Sequence, residues 1–265
     1  MLDCPAMARA RPTVVFVHGM YMNDRSWAPW VERARAAGFD GLAPCWPYHD
    51  GEPEVLRREM DPRLRGLTFG QVVRHIAAVI SGLDEPPFVV GHSVGGLVVQ
   101  RLVNDGLVRA GVAISSAPAL GILSLDPNFW RANFPHVNPL AGNRPVVMTP
   151  QRFHYTFCNA MSHAASDRAF DAYVVPESRN VPRGTLIPSA RIHFRRAHVP
   201  LLFLGGDLDH LCPIGAVRRN AQAYRRSPSP VPLQVFPGRC HLICNQVGWE
   251  EVADAAFDFL RGAAG

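Results

Sequence analysis

The sequence predicts an α/β protein with a mostly parallel central sheet of about six strands, flanked by helices. Short β-branched apolar runs recur along the chain, and most of them precede a segment with helical periodicity. One long segment without a clean strand interrupts this alternation. Strands that alternate with helices are joined by right-handed crossovers, which cover both faces of a parallel sheet.

The first half of the chain supplies three predicted strands. Thr13–His18, with the sequence TVVFVH, is apolar enough to be buried on both faces. Ser26–Ala37 follows with helical periodicity, and Gly41–Cys45 is the second candidate strand. Thr68–Leu83 has an apolar stripe at helical spacing and leads to the third strand, Phe88–Gly91.

The second half continues the same alternation. Val94–Asn104 is predicted as the helix that directly follows the third strand, and Ala110–Ser115 as the fourth strand. Pro200–Gly205 and Leu233–Phe236 are the last two candidate strands, each before a helical segment. The final helix is predicted over Gly248–Leu260.

The segment 119–190 breaks this rhythm, because it is rich in prolines and aromatic residues and has no clean strand. Insertions of this length between two strands are seldom bare loops. We therefore expect a mainly helical cap over the functional site. This interpretation divides the chain into a core domain of residues 1–118 and 191–265 and a cap insertion of residues 119–190.

Composition favours a globular enzyme and gives no sign of a polyanionic partner. Of the 265 residues, 48% are hydrophobic and 18% are charged, which argues against disorder. The formal net charge is +5, but all 27 basic residues are Arg and they are spread along the chain. Nucleic-acid binding proteins concentrate such charge in one patch, so we expect no nucleic-acid partner.

The six cysteines, at positions 4, 45, 158, 212, 240 and 244, show no regular spacing. In a chain of this size we interpret them as reduced thiols rather than as a disulfide framework. The N-terminus lacks the apolar stretch of a signal peptide, and no run of about 18 apolar residues suits a membrane span. These features predict a cytoplasmic protein.

The pentapeptide GHSVG, centred on Ser93, matches the G-x-S-x-G pattern of a nucleophilic serine. The pattern requires a strand before the serine and a helix after it, and the predicted elements at 88–91 and 94–104 satisfy this requirement. The hydroxyl would then stand at a helix N-terminus, where the dipole favours developing negative charge. The alternative is a glycine-rich turn that merely packs a helix on a sheet.

A nucleophilic serine needs a base and an acid to orient the base, in the chain order Ser, Asp or Glu, His. Asp207 and Asp209 both follow the strand predicted at 200–205, so both qualify as the acid. His241 follows the last predicted strand and is the candidate base. His92 should point away from its neighbour Ser93, which favours a packing or pocket role.

Two backbone N–H groups are candidates for an oxyanion hole. Val94 directly follows the serine, and Met20 lies in the loop after the first strand. Gly19 gives that loop the freedom to aim the N–H of Met20. The alternative is an ordinary glycine turn after a strand.

The chain as a whole resembles the α/β-hydrolase superfamily, and in particular its small, cap-bearing bacterial serine esterases and lipases. The resemblance rests on VFVHG, GHSVGG, GDLDHLCP and GRCH, which occur in the order typical of that family and span nearly the full length. The resemblance implies an α/β-hydrolase fold and the pattern D-x-x-x-P for the acid. Asp209 stands four residues before Pro213, so the resemblance selects Asp209 over Asp207.

Two further features are compared with this family. Its full sheet has two strands ahead of the first one predicted here, but only about twelve residues precede that strand, so we expect a shortened sheet edge. The stretches PESR (176–179) and GWEEVAD (248–254) resemble uncharacterised bacterial members and carry no functional interpretation.

Metal and cofactor sites are not supported by the sequence. Cys240, His241 and Cys244, together with His210 and Cys212, have a spacing that matches no usual zinc site. No G-x-G-x-x-G follows the first strand, which argues against a dinucleotide. We therefore expect neither a metal nor a cofactor.

Taken together, these residues predict hydrolysis of small or medium-chain apolar carboxylic esters through Ser93, His241 and Asp209. The same triad could instead serve carbon–carbon bond, thioester or lactone hydrolysis or perhydrolysis, and a non-catalytic ligand-binding protein is a further alternative. The expected partner is a small-molecule ester. The sequence is compatible with a homodimer but does not give the oligomeric state. Tentative substrate-binding residues are Gly19, Tyr21, His92, Trp130 and Phe153.

Overall fold

Six strands form one parallel sheet within residues 11–263, the part of the chain that this computed structural model describes. Cys4, one of the predicted reduced thiols, lies outside the described residues. The strands are β1 (Thr13–Val17), β2 (Asp40–Leu42), β3 (Phe88–His92), β4 (Ala110–Ile114), β5 (Leu201–Gly206) and β6 (Leu233–Phe236). Their order across the sheet is β2-β1-β3-β4-β5-β6, and every pairing is parallel. The predicted α/β fold, with a mostly parallel sheet of about six strands, is confirmed.

Ten α-helices accompany the sheet in the described part of the chain. They are α1 (Ala28–Ala36), α2 (Pro53–Arg58), α3 (Phe69–Ser81), α4 (Val94–Asn104), α5 (Pro127–Val137), α6 (Pro150–Phe157), α7 (His163–Tyr173), α8 (Asn180–Gly184), α9 (Ile214–Ala223) and α10 (Trp249–Gly262). No helix between residues 11 and 263 is long and apolar enough to cross a membrane.

The sheet separates two hydrophobic cores, one on each face. Side chains of a strand alternate between faces, so β1 sends Val15 and Val17 into one core and Val14 and Phe16 into the other. Helices α3, α4 and α9 cover the first face, and α1 and α10 cover the second. Because β1 and its neighbours are buried on both sides, their sequences are apolar throughout.

Element boundaries differ from the prediction mainly at the sheet edge. The second strand covers Asp40–Leu42 rather than Gly41–Cys45. Its predicted continuation turns away, because the N–H of Trp46 donates to His18 Nε2 at 3.0 Å instead of joining a strand. Helix α2 was not predicted, although Pro53 at its first turn is a common start signal.

Helix α3 begins one residue after the predicted start because Thr68 is its N-cap. The Thr68 hydroxyl accepts the N–H of Gln71, and the Gln71 side chain accepts the N–H of Thr68. This reciprocal capping box satisfies two N–H groups that the first helical turn leaves without partners.

The segment 119–190 lies between β4 and β5 and contains helices α5 to α8. Its only strand-like pairing among the described residues is an isolated antiparallel bridge between Val146 and Glu177. Helix α8 packs on α3, and the hydroxyl of Tyr21, in the loop after β1, lies 2.6 Å from His136 Nδ1 in α5. The segment therefore contacts the loops at the carboxyl end of the sheet.

Candidate active site

Ser93 occupies the sharp turn between β3 and α4 in a backbone conformation that few non-glycine residues adopt. Its φ is 57° and its ψ is −120°, and its N–H donates to the carbonyl of Ile114 at 2.9 Å. Such strain persists only where surrounding structure imposes it, and it is typical of functional sites. The side chain is buried, with 4% of its surface exposed, at the N-terminus of α4.

Gly95 explains how the turn can form so close to the sheet. A Cβ atom at Gly95 would lie 2.2 Å from the carbonyl oxygen of Val17 and 2.5 Å from that of His18. Only glycine lets α4 approach the end of β1 this closely, which brings the loop after β1 to the side of Ser93.

Asp209 and His241 form a buried pair at the ends of the neighbouring strands. Asp209 follows β5 and His241 follows β6, and His241 Nδ1 lies 2.7 Å from Asp209 Oδ2. Both side chains are fully buried. The second carboxylate oxygen, Oδ1, accepts the N–H groups of Leu211 at 2.8 Å and Cys212 at 2.7 Å.

These contacts keep Asp209 ionised. Burial would raise the pKa of the Asp209 carboxyl, but attraction to His241 and the hydrogen bonds from His241 and Cys212 outweigh burial, so the pKa lies below its usual range. Asp209 is therefore an acceptor at neutral pH, and His241 must carry its proton on Nδ1. The other ring nitrogen, Nε2, is then left as a proton acceptor.

The Nε2 atom of His241 is buried and has no hydrogen-bond partner within residues 11–263. The hydroxyl of Ser93 instead contacts the thiol of Cys212, whose own N–H is bound to Asp209. Burial raises the pKa of the Cys212 thiol well above its ordinary value, so this thiol is neutral. Cys212 thus links the serine to the acid, since its thiol contacts Ser93 and its N–H is bound to Asp209.

The loop after β1 lies against the serine. A Cβ atom at Gly19 would lie 2.9 Å from the Cβ of Ser93, so only glycine fits there. Neither Met20 nor Val94 donates its N–H to an acceptor among the described residues. As the first residue of α4, Val94 has no helical acceptor for this group.

His18 orients the peptide that carries the N–H of Met20. Its Nε2 accepts the N–H of Trp46 at 3.0 Å, so the ring proton resides on Nδ1 and is donated to the Gly19 carbonyl at 2.9 Å. Burial and the neighbouring His49 lower the pKa of His18 well below its ordinary value, which keeps the ring neutral. Sequence reasoning missed this role, although His18 directly precedes Gly19.

A cavity of about 250 Å³ opens at Ser93. It is bounded by the loop after β1, the start of α4, the segment after β4 and helices α5 and α8. Most of the residues that line it are apolar, and its polar side chains include Asn133 and His136. The lining includes Met20, Tyr21, Ser93, Val94, Trp130, Leu186 and Cys212.

The structure brings Tyr21 and Trp130 to this cavity but not His92 or Phe153. Phe153 is fully buried and stacks on Phe157 at 5.0 Å between ring centroids, so it belongs to the core of the segment 119–190. His92 lies behind the base, with Nε2 2.8 Å from the carbonyl oxygen of His241. A carbonyl only accepts, so His92 carries its proton on Nε2 and supports the His241 loop.

The other candidates also have definite places. Asp207 is exposed, and its Oδ1 accepts the N–H of Gly238 at 2.7 Å, so it is not the partner of His241. His210 Nδ1 lies 3.0 Å from the carbonyl of Tyr155. The described part of the chain holds no group of three or more His, Cys, Asp or Glu residues arranged for a metal ion.

Comparisons with known proteins agree with this architecture. Residues 14–255 match the alpha/beta hydrolase family. A non-heme chloroperoxidase of Kitasatospora aureofaciens is 24% identical in an alignment of 277 positions that covers 92% of this chain and 89% of that protein.

Solved structures with a similar fold include two hydrolases. The monoacylglycerol lipase of Paleococcus ferrophilus has a TM-score of 0.69 and 21% identity, and the match covers 96% of both chains. A pyrethroid hydrolase from Sphingobium faniae has a TM-score of 0.64 and 20% identity, covering 94% of this chain and 96% of the other. The family match spans most of the sequence, and the chain therefore belongs to the alpha/beta hydrolase family.

Proposed function

We propose that this protein is a serine hydrolase that cleaves carboxylic esters of small or medium-chain apolar substrates. The observation that carries the proposal is the buried Asp209–His241 hydrogen bond, which leaves His241 Nε2 without a partner among residues 11–263 and able to accept a proton. A histidine held in this tautomer can take the serine proton, which is what an unactivated hydroxyl requires.

In the proposed reaction, Ser93 Oγ attacks the ester carbonyl while His241 Nε2 takes its proton. The carbonyl oxygen becomes an oxyanion, and the N–H groups of Met20 and Val94 donate to it. The tetrahedral intermediate collapses as His241 gives the proton to the departing alcohol oxygen. Water then attacks the carbonyl of the acyl-enzyme while His241 Nε2 takes one of its protons. The second tetrahedral intermediate releases the carboxylic acid, and His241 gives the proton to Ser93 Oγ.

The strained turn at Ser93 supports this assignment. Loss of a single oxyanion donor typically costs a factor of about 10²–10³ in rate, so an enzyme has reason to maintain an unfavourable backbone there. The turn presents the Val94 N–H beside the serine hydroxyl, and the N-terminus of α4 adds a favourable dipole. A turn that only packs a helix on a sheet would need neither feature.

The cavity supports an apolar substrate. A volume of about 250 Å³ suits a short or medium acyl chain, and its walls include Val94, Trp130 and Leu186. We propose that the segment 119–190 acts as the cap of this cavity, since α5 and α8 contribute part of its lining. Tyr21 and Trp130 are the proposed substrate contacts, and Gly19 acts through its close approach to Ser93.

One finding favours a second candidate function. The relative from Kitasatospora aureofaciens is a non-heme chloroperoxidase, which makes perhydrolysis a reaction to consider for the same triad. In perhydrolysis, hydrogen peroxide takes the place of water and releases the acyl group as a peracid. The discriminating test is halogenation of monochlorodimedone in the presence of acetate, bromide and hydrogen peroxide, compared with ester hydrolysis by the same preparation.

The proposed function is tested with p-nitrophenyl esters of two to eight acyl carbons, assayed with the wild type and with Ser93→Ala. We expect turnover by the wild type and a loss of at least about 10³-fold in kcat for the variant. Equal turnover by both proteins would contradict the proposal. A wild type that binds such esters without turnover would favour a ligand-binding protein.

A further inference from the structure

Glu177 is a fully buried carboxylate that the proposed chemistry does not use. It lies between α7 and α8, where its backbone pairs with Val146 through hydrogen bonds of 2.7 and 2.9 Å. Its Oε1 accepts the N–H of Ser178 at 2.7 Å. Removing a carboxylate from water is unfavourable unless it is paired, so we expect its second oxygen, Oε2, to have a charged or hydrogen-bonding partner.

His49 is the charged partner of Glu177. Its Nδ1 lies 3.0 Å from the carbonyl of Pro47, and its Nε2 lies 3.3 Å from Glu177 Oε2. Both neighbours are acceptors, so both ring nitrogens carry protons and the ring is an imidazolium. Burial alone would lower the pKa of His49, but attraction to Glu177 and these hydrogen bonds outweigh burial and raise it.

The same carboxylate oxygen also holds the loop after β1. The N–H of Tyr21 donates to Glu177 Oε2 at 3.4 Å, and the carbonyl of Tyr21 accepts the N–H of Val175 at 3.0 Å. Tyr21 has a φ of 63°, a left-handed conformation that is strained for a bulky aromatic residue. Its backbone is thus held in an unfavourable state by residues of the segment 119–190.

These contacts constrain Met20 from both sides. His18 fixes the Gly19–Met20 peptide through the Gly19 carbonyl, and Glu177 fixes the Met20–Tyr21 peptide through the Tyr21 N–H. With both flanking peptides anchored, the direction of the Met20 N–H is determined.

We propose that Glu177 and His49 are a positioning pair that holds the oxyanion loop, residues 18–22, so that the N–H of Met20 points at the developing oxyanion. The inference rests on the proposed function, in which Met20 is an oxyanion donor. Neither residue is among those that line the cavity at Ser93. Both act through Tyr21 and Met20, across the junction between the core and the segment 119–190.

A structural role and a positioning role make different predictions. Replacing a buried ion pair by neutral residues can leave stability unchanged or improve it, so stability alone does not account for the pair. A purely structural pair would affect Tm and the yield of folded protein but not kcat per active site. A positioning pair would lower kcat, leave KM nearly unchanged and weaken binding of a tetrahedral analogue.

The test compares Glu177→Gln, His49→Gln and the double variant with the exposed control Glu251→Gln. Rates on a p-nitrophenyl ester are normalised to active sites titrated with a fluorophosphonate, and the Ki of an alkyl trifluoromethyl ketone is measured in parallel. For each single variant we expect kcat to fall about 10- to 100-fold, with KM within about threefold, because an oxyanion donor is misaligned. The ketone Ki should rise by the same factor as the loss in kcat/KM.

The double variant provides a check that the two residues act as a unit. We expect its loss to be about that of one single variant rather than the product of both, since coupled residues are non-additive. Glu251→Gln should match the wild type in every measurement.

Several outcomes would overturn the inference. Wild-type kcat per active site in Glu177→Gln and His49→Gln, or a lowered Tm without a change in ketone Ki, would assign the pair a purely structural role. If both single variants fail to fold, the double variant, which leaves no unpaired buried charge, decides the question by the same measurements. A wild type that neither hydrolyses the ester nor reacts with the fluorophosphonate would instead contradict the proposed function, and this is established before any variant is made.

Discussion

His241 Nδ1 lies 2.7 Å from Asp209 Oδ2, and the other oxygen of this carboxylate is bound by two consecutive backbone N–H groups. The turn after β5 therefore fixes the orientation of the Asp209 carboxylate independently of its hydrogen bond to His241. With one oxygen committed to the backbone, the other can only orient the imidazole. This arrangement determines which ring nitrogen is free to accept a proton.

Asp209→Asn should lower kcat by about 10³–10⁴-fold while KM changes little, because an amide no longer enforces the required His241 tautomer. The measurement is steady-state hydrolysis of a p-nitrophenyl ester. Asp207→Asn is a matched control in the same loop, since Asp207 is exposed and its carboxylate accepts the N–H of Gly238. A comparable loss in both variants would remove the special role of Asp209.

His92→Gln should lower kcat about tenfold, because the base loop loses the hydrogen bond from His92 Nε2 to the His241 carbonyl. Burial and the neighbouring His241 lower the pKa of His92 to about 3, so His92 stays neutral throughout the assay range. The acid limb of the kcat/KM profile should therefore keep its midpoint in the variant. A shifted midpoint would mean that His92 itself titrates in the reaction.

Acidification should destabilise the fold through its buried neutral histidines. Burial, first of all, lowers the pKa of His92 and of His136 to about 3, against 6.5 in the unfolded chain. The unfolded state therefore binds more protons between pH 6.5 and 3, and the free energy of unfolding falls as pH falls through this window. Each histidine should contribute about 2 kcal/mol of loss between pH 7 and pH 5.

Urea unfolding of the wild type and of His136→Gln at pH 7 and pH 5 checks this expectation. The variant should lose about 2 kcal/mol less than the wild type over the same interval, because one proton-linked site has been removed. Equal pH dependence in both proteins would show that His136 titrates normally.

Substitution of Trp130 should change substrate selectivity, whereas substitution of Phe153 should change only stability. Trp130→Ala should reduce kcat/KM for a hexanoate ester about tenfold relative to an acetate ester, because an apolar wall of the cavity is lost. Phe153→Leu should lower the free energy of unfolding by about 1–3 kcal/mol and leave this ratio unchanged, since the ring is buried away from the cavity. Acyl-chain profiles and urea unfolding of both variants decide the question.

The fold was predictable because the central strands β1, β3 and β4 are buried on both faces and their sequences are apolar throughout. Helix α4 was predicted with its observed bounds, since Ser93 and the following apolar run mark its start. The edge strand β2 was less predictable, because an exposed strand of three residues carries little apolar signal.

The candidate site was partly predictable for a related reason. Ser93 and His241 stand at strand ends, where local sequence places them, and the choice of Asp209 over Asp207 required a family pattern. The buried pair of Glu177 and His49 joins residues 128 positions apart. No local sequence pattern predicts a contact between residues so far apart. The PESR stretch, which contains Glu177, therefore received no functional interpretation from the sequence.

Phe153 shows the limit of residue type as evidence. Aromatic residues between β4 and β5 were candidate substrate contacts, yet Phe153 packs on Phe157 and Phe170 while Trp130 reaches the cavity. Both residues are aromatic, so the sequence does not distinguish them. They differ in the direction in which each side chain leaves its helix, which only the structure shows.

In the proposed mechanism, His241, held by Asp209, makes Ser93 nucleophilic. The most direct test of this mechanism is labelling with a fluorophosphonate, followed by intact-mass measurement and mapping of the modified peptide. We expect one phosphonyl group per chain, on Ser93, with no adduct in Ser93→Ala and a rate at least about 100-fold lower in His241→Ala. Absence of labelling at Ser93 in folded wild-type protein would contradict the account.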